Sequence, residues 1–215
     1  MKRFFLLLTV ILTASCSKDD ESEKLYQSYG VVREDVNISG KLYIRSDNGK
    51  VIVPTLSGFL ANDSKDRRVW MMFSINNNIN SDTIKANIYD FLKITDMDVK
   101  SENDELKSDV VYPQAIWVAQ DYLTMIIDVM AGSETSLKNH AYTVYSDFEI
   151  VNDTVRMEFK YDRNNDALNK QFSKIVALKL DDRISPAQDS KSIVLAIKYL
   201  SNTNTYKEEY VVYEK

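Results

Sequence analysis

The chain has 215 residues, 44% of them hydrophobic and 27% charged, with a formal net charge of −5, one histidine and one cysteine. That length supports one large or two small domains. The acidic balance disfavours nucleic acid as a partner, and a single cysteine excludes a disulfide-stapled fold, so the core has to be built by burial alone.

The N-terminus carries Lys2 and Arg3, then an apolar stretch from Phe4 to Leu12, then Thr13-Ala14-Ser15 directly before Cys16. A positive n-region, a short h-region and small residues at a cleavage point read as a signal peptide over residues 1–15; a membrane span needs about 20 apolar residues. A cysteine at the cleavage point resembles a bacterial lipobox, in which the thiol is acylated and becomes the new N-terminus. Thr13 stands where the usual pattern has leucine, so an ordinary secretory signal is the alternative. The segment that follows, residues 16–27, is polar and expected to be a disordered tether. Its Ser17-Lys18-Asp19-Asp20-Glu21 run resembles the acidic signal that sends some Gram-negative lipoproteins to the outer face of the outer membrane. Display in the periplasmic leaflet, with the run as a solvated linker, is the alternative.

Strand alternation follows along the chain, and no amphipathic helix interrupts it. Leu42-Tyr43-Ile44-Arg45 and Val51-Ile52-Val53 flank Asp47-Asn48-Gly49-Lys50, and Asn-Gly between apolar alternating runs predicts a hairpin. Val69, Met71, Phe73 and Ile75 form the next apolar face, with Trp70 opposite, expected to pack against the second domain. Ile84 to Ile94 reads as one long strand with Ile84, Ala86, Ile88, Leu92 and Ile94 on one side. These strands predict a small barrel over 28–98. The charged, aperiodic stretch 99–108 is expected to be a linker. From 109 to 215, apolar alternation in six or seven further strands predicts an antiparallel β-sandwich, with Trp117 in its core. The fold class is therefore all-β.

Few residues invite chemistry. His140 is the one histidine; it is expected at the start of a strand in a structural role, since no nucleophile motif accompanies it. Asp162-Arg163-Asn164-Asn165-Asp166 has the alternating oxygen spacing of a calcium loop, yet Ala167 stands where such a loop turns on glycine, and a polar hairpin turn explains the same residues. Residues 28–98 hold nine Lys/Arg and nine Asp/Glu, and Arg67-Arg68 is a local pair, not the basic groove that nucleic acid requires. Asp82-Thr83-Ile84 and Asp153-Thr154-Val155 match a short O-glycosylation pattern known in some Gram-negative anaerobes, with Thr83 and Thr154 as acceptors. No metal and no cofactor is expected.

Several stretches in this order resemble the NigD-like lipoproteins: Gly30-Val31-Val32, the Tyr43 to Gly49 hairpin, Pro54, Asp66-Arg67-Arg68-Val69, Ile116-Trp117 with Tyr122-Leu123, His140, and Met157 to Asp162. The resemblance implies an OB-like first domain and a β-sandwich second domain. It also implies a non-enzymatic, immunity-like or accessory role with a protein partner, since the family takes its name from a bacteriocin-immunity protein assigned largely by genetic context. A surface glycan-binding module is the second reading and a hydrolase the third. The membrane is engaged through the lipid anchor.

Anchoring is testable. One acyl chain binds a membrane only marginally and two or more hold firmly, at about 0.8 kcal/mol per buried CH₂. Cys16→Ala is expected to leave an uncleaved or freely soluble protein on cell fractionation. A variant that is cleaved and still in the membrane fraction would show that something other than Cys16 holds it.

Overall fold

The hairpin at Asp47-Asn48-Gly49-Lys50 forms as its chemistry dictates. Gly49 N–H donates to Ser46 O at 2.9 Å and Ser46 N–H to Lys50 O at 2.9 Å. Gly49 takes φ = +84°, the left-handed position that glycine occupies without steric penalty. The hairpin joins β2 (Leu42–Ser46) to β3 (Val51–Pro54), with Ile44 opposite Ile52. In this computed structural model, residues 23–35, 41–56, 60, 64–76, 81–100, 108–180, 184 and 192–214 are described.

Together with β1 (Leu25–Glu34), β4 (Arg68–Ile75) and β5 (Thr83–Lys93), the hairpin closes a barrel in the order β1-β2-β3-β5-β4. The β3–β5 pair is parallel, giving the five-stranded Greek-key arrangement of an OB fold. Val32, Ile44, Ile52, Val69, Met71, Phe73, Ile84 and Ala86 fill the interior. The long fifth strand departs from the expected alternation. Its pairing with β4 shifts register between Met72 and Phe73, which face Asp90 and Ile88. The extra residue, Tyr89, is a β-bulge, and a bulge reverses which residues face inward. Phe91 therefore packs toward the core, while Leu92, expected inside, is half exposed.

β1 begins at Leu25, within the segment expected to be tether. The Glu23 carboxylate before it accepts hydrogen bonds from Ser74 Oγ and Tyr89 OH, and Lys24 Nζ lies 5.2 Å from the Tyr26 ring centroid. The chain is thus seated on the barrel from residue 23 onward.

The second domain takes in residues that sequence reading divides between barrel and linker. β6 (Thr95–Asp96) pairs in parallel with β13 (Lys170–Lys179), and β7 (Asp98–Lys100) in parallel with β10 (Ala141–Tyr145). These two short strands belong to opposite sheets, and Met97 between them is buried in the core they enclose. One sheet runs β6-β13-β9-β8, with β8 at Tyr112–Ala119 and β9 at Tyr122–Ala131. The other runs β15-β14-β12-β10-β7 and carries the short β11 (Ile150–Val151) on β12; here β12 is Thr154–Asp162, β14 Ser192–Leu200 and β15 Tyr206–Glu214. Most pairs are antiparallel as expected. The β12–β14 pair joins β6–β13 and β7–β10 as parallel, because the chain crosses to the other sheet between these partners.

Gly30 marks a point where backbone comes too close for a side chain. A Cβ there would stand 2.6 Å from Ile44 Cγ2 and 2.7 Å from Arg45 O. Gly30→Ala is expected to destabilise the protein by about 1–3 kcal/mol, as overpacking does when backbone has to move. Urea unfolding should show a lower midpoint at unchanged slope.

Candidate functional site

Between the barrel and the sandwich lies a groove of about 750 Å³, with Arg33, Tyr43 and Arg45 on the barrel side and Gln120, Asp121, Tyr213 and Glu214 on the other. Asp47 lines it as well, and its carboxylate is held by a buried arginine. Arg68 starts β4 and alternates with Val69 and Met71, so it projects outward from the barrel. There it meets the sandwich, and it is 0% exposed. Its guanidinium donates through both terminal nitrogens to the two carboxylate oxygens of Asp47, at 2.5 Å for the Nη2–Oδ2 pair. Its Nε–H donates to Thr124 Oγ1 at 3.1 Å. Trp117 Nε1–H donates to the same Asp47 at 2.9 Å, and the Trp117 ring meets Tyr29 edge-on at 5.2 Å between centroids. The guanidinium carbon lies 5.9 Å from the Tyr29 ring centre and 6.0 Å from that of Trp117. Burial pushes the Tyr29 phenol above its usual range, with the Arg68 charge opposing and Asp47 reinforcing.

The β8–β9 hairpin locks this joint from the sandwich side. Gln120 and Asp121 take φ of +52° and +65°, the two left-handed positions of a tight hairpin turn. Gln120 Nε2–H donates to Ser46 O at 3.1 Å, and Tyr122 OH donates to Asp66 O. Val31, Ile94, Tyr122 and Ala177 seal the contact with apolar surface. The walls of the groove differ in charge. Arg33 pairs with Asp66 at 2.9 Å, and Arg45 is exposed with no partner among the described residues. Opposite them, Asp121 accepts the Tyr213 hydroxyl at 3.0 Å, and Glu214 is exposed.

The residues singled out in the sequence take other places. Cys16 and Ser17, Lys18, Asp19, Asp20 and Glu21 lie outside the described residues. Thr83 is exposed at the first position of β5, and Thr154 is partly buried at the first position of β12. Trp117, expected in the sandwich core, belongs to the domain joint, because its indole N–H finds a carboxylate there. Trp70 is half-buried on the barrel's outer face; Arg68, two residues earlier on that face, is the one fully buried against the sandwich.

His140 does stand directly before a strand, β10. Its Nε2 lies 3.1 Å from Asp166 Oδ2 and its Nδ1 2.8 Å from Tyr161 OH. Ser136 Oγ donates to the same Asp166 oxygen at 2.5 Å, and Gly132 N–H does so at 2.8 Å. Serine and histidine thus meet at the carboxylate and not at each other. Both ring nitrogens are engaged, so neither is placed to take a serine proton, the step a Ser-His-Asp site requires. The calcium-like spacing resolves into turn chemistry: Asn164 and Asn165 take φ of +52° and +62°, Asp162 Oδ1 accepts the Asn164 N–H at 2.7 Å, and Asp166 is held as above. This turn connects β12 to β13 in the opposite sheet, so it is not a hairpin. Among the described residues no three His, Cys, Asp or Glu side chains converge.

A family model for the NigD-like C-terminal beta sandwich domain matches residues 93–211. The chain belongs to the NigD-like family. The matched range opens just before β6, in agreement with a sandwich that includes β6 and β7. Solved structures share the whole architecture. A NigD-like immunity protein from Bacteroides caccae is 22% identical, with a TM-score of 0.64 over 87% of this chain and 92% of that one. A protein from Parabacteroides distasonis described as a "putative toxin related protein" is 19% identical, with a TM-score of 0.71 over 89% and 94%. A "putative lipoprotein" from Bacteroides fragilis is 10% identical, with a TM-score of 0.65 over 89% and 99%. No curated protein matches the chain.

The joint has no motif of its own in sequence. The one available signal is Arg68 itself, a charged residue heading an apolar alternating strand, with Asp47 in a hairpin loop as its unseen partner.

Two predictions follow from this geometry. Asp47→Ala leaves the Arg68 charge buried and unpaired, and is expected to destabilise the protein by about 3 kcal/mol, the low end for breaking a buried pair because Asp47 retains some solvent contact. Asp47→Ala combined with Arg68→Met should recover part of that loss in urea unfolding. The second concerns Asp166, whose carboxyl is held well below its ordinary value of 3.8, first by the Ser136 hydroxyl and then by the Gly132 N–H. A depressed folded-state pKa gives stability that is present above the unfolded value and lost as pH falls below it. Wild-type melting temperature should therefore fall more steeply below about pH 4 than that of Asp166→Asn.

Proposed function

We propose that this member of the NigD-like family is a lipid-anchored protein of the outer membrane, displayed outward, that holds a protein partner along β15 and the adjoining groove. The observation that carries this reading is the outer edge of the sandwich. Among the described residues β15 pairs with β14 alone, and β8 of the other sheet lies beside it across a cavity of about 220 Å³ lined by Gln114, Ile116, Glu209 and Tyr210. Tyr206, Tyr210 and Val212 share one face of it and are 52%, 62% and 54% exposed. A long edge strand bearing apolar side chains is a template for an extended segment of another chain. Val212, Tyr213 and Glu214 continue this strand into the groove wall, so a segment following β15 runs toward Arg45. The cysteine after the signal sequence supports anchoring, as does the likeness to a Bacteroides fragilis protein described as a lipoprotein. An immunity-like role is consistent with the likeness to the Bacteroides caccae protein.

A glycan partner is the second reading. It is favoured by the same tyrosines, whose rings are offered at alternating positions, with Lys198 Nζ 4.3 Å from the Tyr206 centroid. Photo-crosslinking in intact cells separates the two. A benzoylphenylalanine at position 210 or 212 is expected to form a discrete protein adduct, and one at the exposed control position 168 is not. Absence of any adduct specific to β15, together with polysaccharide retention abolished by Tyr206→Ala and Tyr210→Ala, would replace the protein reading with the glycan one.

A further inference from the structure

The end of the barrel where β1 begins is hollow. On β1, Tyr26, Ser28, Gly30 and Val32 alternate onto the inward face, and Ser46 of β2, register partner of Gly30, is 1% exposed. Small side chains at Ser28 and Ser46, where neighbouring strands carry isoleucine and phenylalanine, leave a cavity of about 230 Å³ that opens at the barrel mouth. Ile52, Phe73 and Ile84 form its apolar wall and are buried. The Tyr26 ring stacks on Phe73 with centroids 5.9 Å apart. This volume falls below the roughly 300 Å³ at which pockets begin to take drug-sized molecules, so it suits one ring or one branched aliphatic body.

The rim is different in character. Gln27, Asn48 and Lys50 border the opening. Among the described residues that line the cavity, Lys50 is the one that carries a charge, and no carboxylate is present. The backbone N–H of Lys50 donates to Asn48 Oδ1 at 3.3 Å, and Ser46 Oγ contacts the same oxygen at 2.6 Å. That occupies the Asn48 carbonyl and fixes the amide orientation, since a backbone N–H can only donate. The Asn48 NH₂ group then has no partner among the described residues; Lys50 lines the same opening, and its ammonium also donates to Ser81 O at 3.5 Å. The rim offers hydrogen-bond donors and a positive charge above an apolar, aromatic-walled void.

We propose that the barrel mouth is a binding site for a small organic anion, a carboxylate attached to a single ring or branched aliphatic body. The body fills the space that Ser28 and Ser46 leave, against Ile52, Phe73 and Ile84. The carboxylate remains at the rim, where Lys50 and the Asn48 amide donate to it. The site is separate from β15 and shares no lining residue with the groove, whose wall includes Asp47 beside Asn48.

The test uses residues 16–215 carrying Cys16→Ala, with phenylacetate, phenylacetamide and benzylamine as probes of equal size and different charge, followed by calorimetry and two-dimensional NMR. Phenylacetate is expected to bind saturably, with shifts at Ser28, Ser46, Ile52 and Phe73. Phenylacetamide should bind about tenfold more weakly, the worth of one charge-assisted hydrogen bond, and benzylamine not at all. Lys50→Gln should bring phenylacetate down to the level of phenylacetamide. Ser28→Leu should abolish binding of both by filling the void, with its circular dichroism unchanged. The proposal is overturned if phenylacetate shows no saturation up to about 20 mM, if phenylacetamide binds equally well, or if a folded Ser28→Leu still binds. Should Ser28→Leu fail to fold, an unchanged phenylacetate affinity in Lys50→Gln overturns it equally.

Discussion

The ion pair between Arg68 and Asp47 commits the two domains to a single arrangement. A guanidinium removed from water is tolerable only while its charge is matched and its donors are used. Here both terminal nitrogens meet Asp47, Nε meets Thr124, and two aromatic rings flank the cation. Arg68 and Asp47 come from the barrel, whereas Thr124 and Trp117 come from the sandwich. Rotating one domain against the other would strip partners from both charged groups at once, in surroundings where Coulomb terms are weakly screened. The apolar seal of Val31, Ile94, Tyr122 and Ala177 adds affinity without direction. The polar knot supplies the direction.

Much of the fold was legible because it rests on local chemistry. The Asp47 to Lys50 hairpin follows from an Asn-Gly pair between alternating strands, and the inward face of β4 follows from Val69, Met71 and Phe73. What was not legible depends on partners distant in sequence. Leu92 reads as core by period two, but the bulge at Tyr89 is set by pairing with β4 and reverses the phase. Thr95 to Lys100 reads as the end of one domain and the start of a linker, because strands of two and three residues carry no periodicity. They become strands only through β13 and β10, some 45 to 80 residues later. Trp117 reads as core because an aromatic on a strand usually is; its place at the joint is decided by the carboxylate that takes its N–H.

The region around His140 shows how a loop can imitate a site. Alternating Asp and Asn oxygens are what a calcium ion needs, and they are also what a tight turn needs. Asn164 and Asn165 are there to adopt positive φ, and Asp162 to cap the turn through the Asn164 N–H. Asp166 ties the turn down by accepting from Gly132, Ser136 and His140. Asp162 Oδ1 and Asp166 Oδ2, two of the oxygens that such spacing would offer a cation, accept from donors within the protein. Burial pushes the Tyr161 phenol up and keeps it a neutral partner for the imidazole. Histidine, serine and aspartate are present together, but their order of contact makes a brace across the end of the sandwich.

The same economy of position makes one turn serve both the domain joint and the barrel mouth. Asp47, the first residue of the β2–β3 loop, faces the sandwich and holds Arg68 and Trp117. Asn48 and Lys50, one and three residues on, face the barrel mouth. Gly49, with its positive φ, lets the chain reverse within that span. Ser46 is bound to both sides: its Oγ contacts Asn48 and its carbonyl accepts Gln120 from the sandwich. A displacement of the loop at the mouth therefore cannot be absorbed locally, because the residues that would move with it are the anchors of the domain joint. In this fold the barrel mouth, the joint and the wall of the groove meet at a four-residue turn, and the residue at its first position, Asp47, is tied to the buried charge of Arg68.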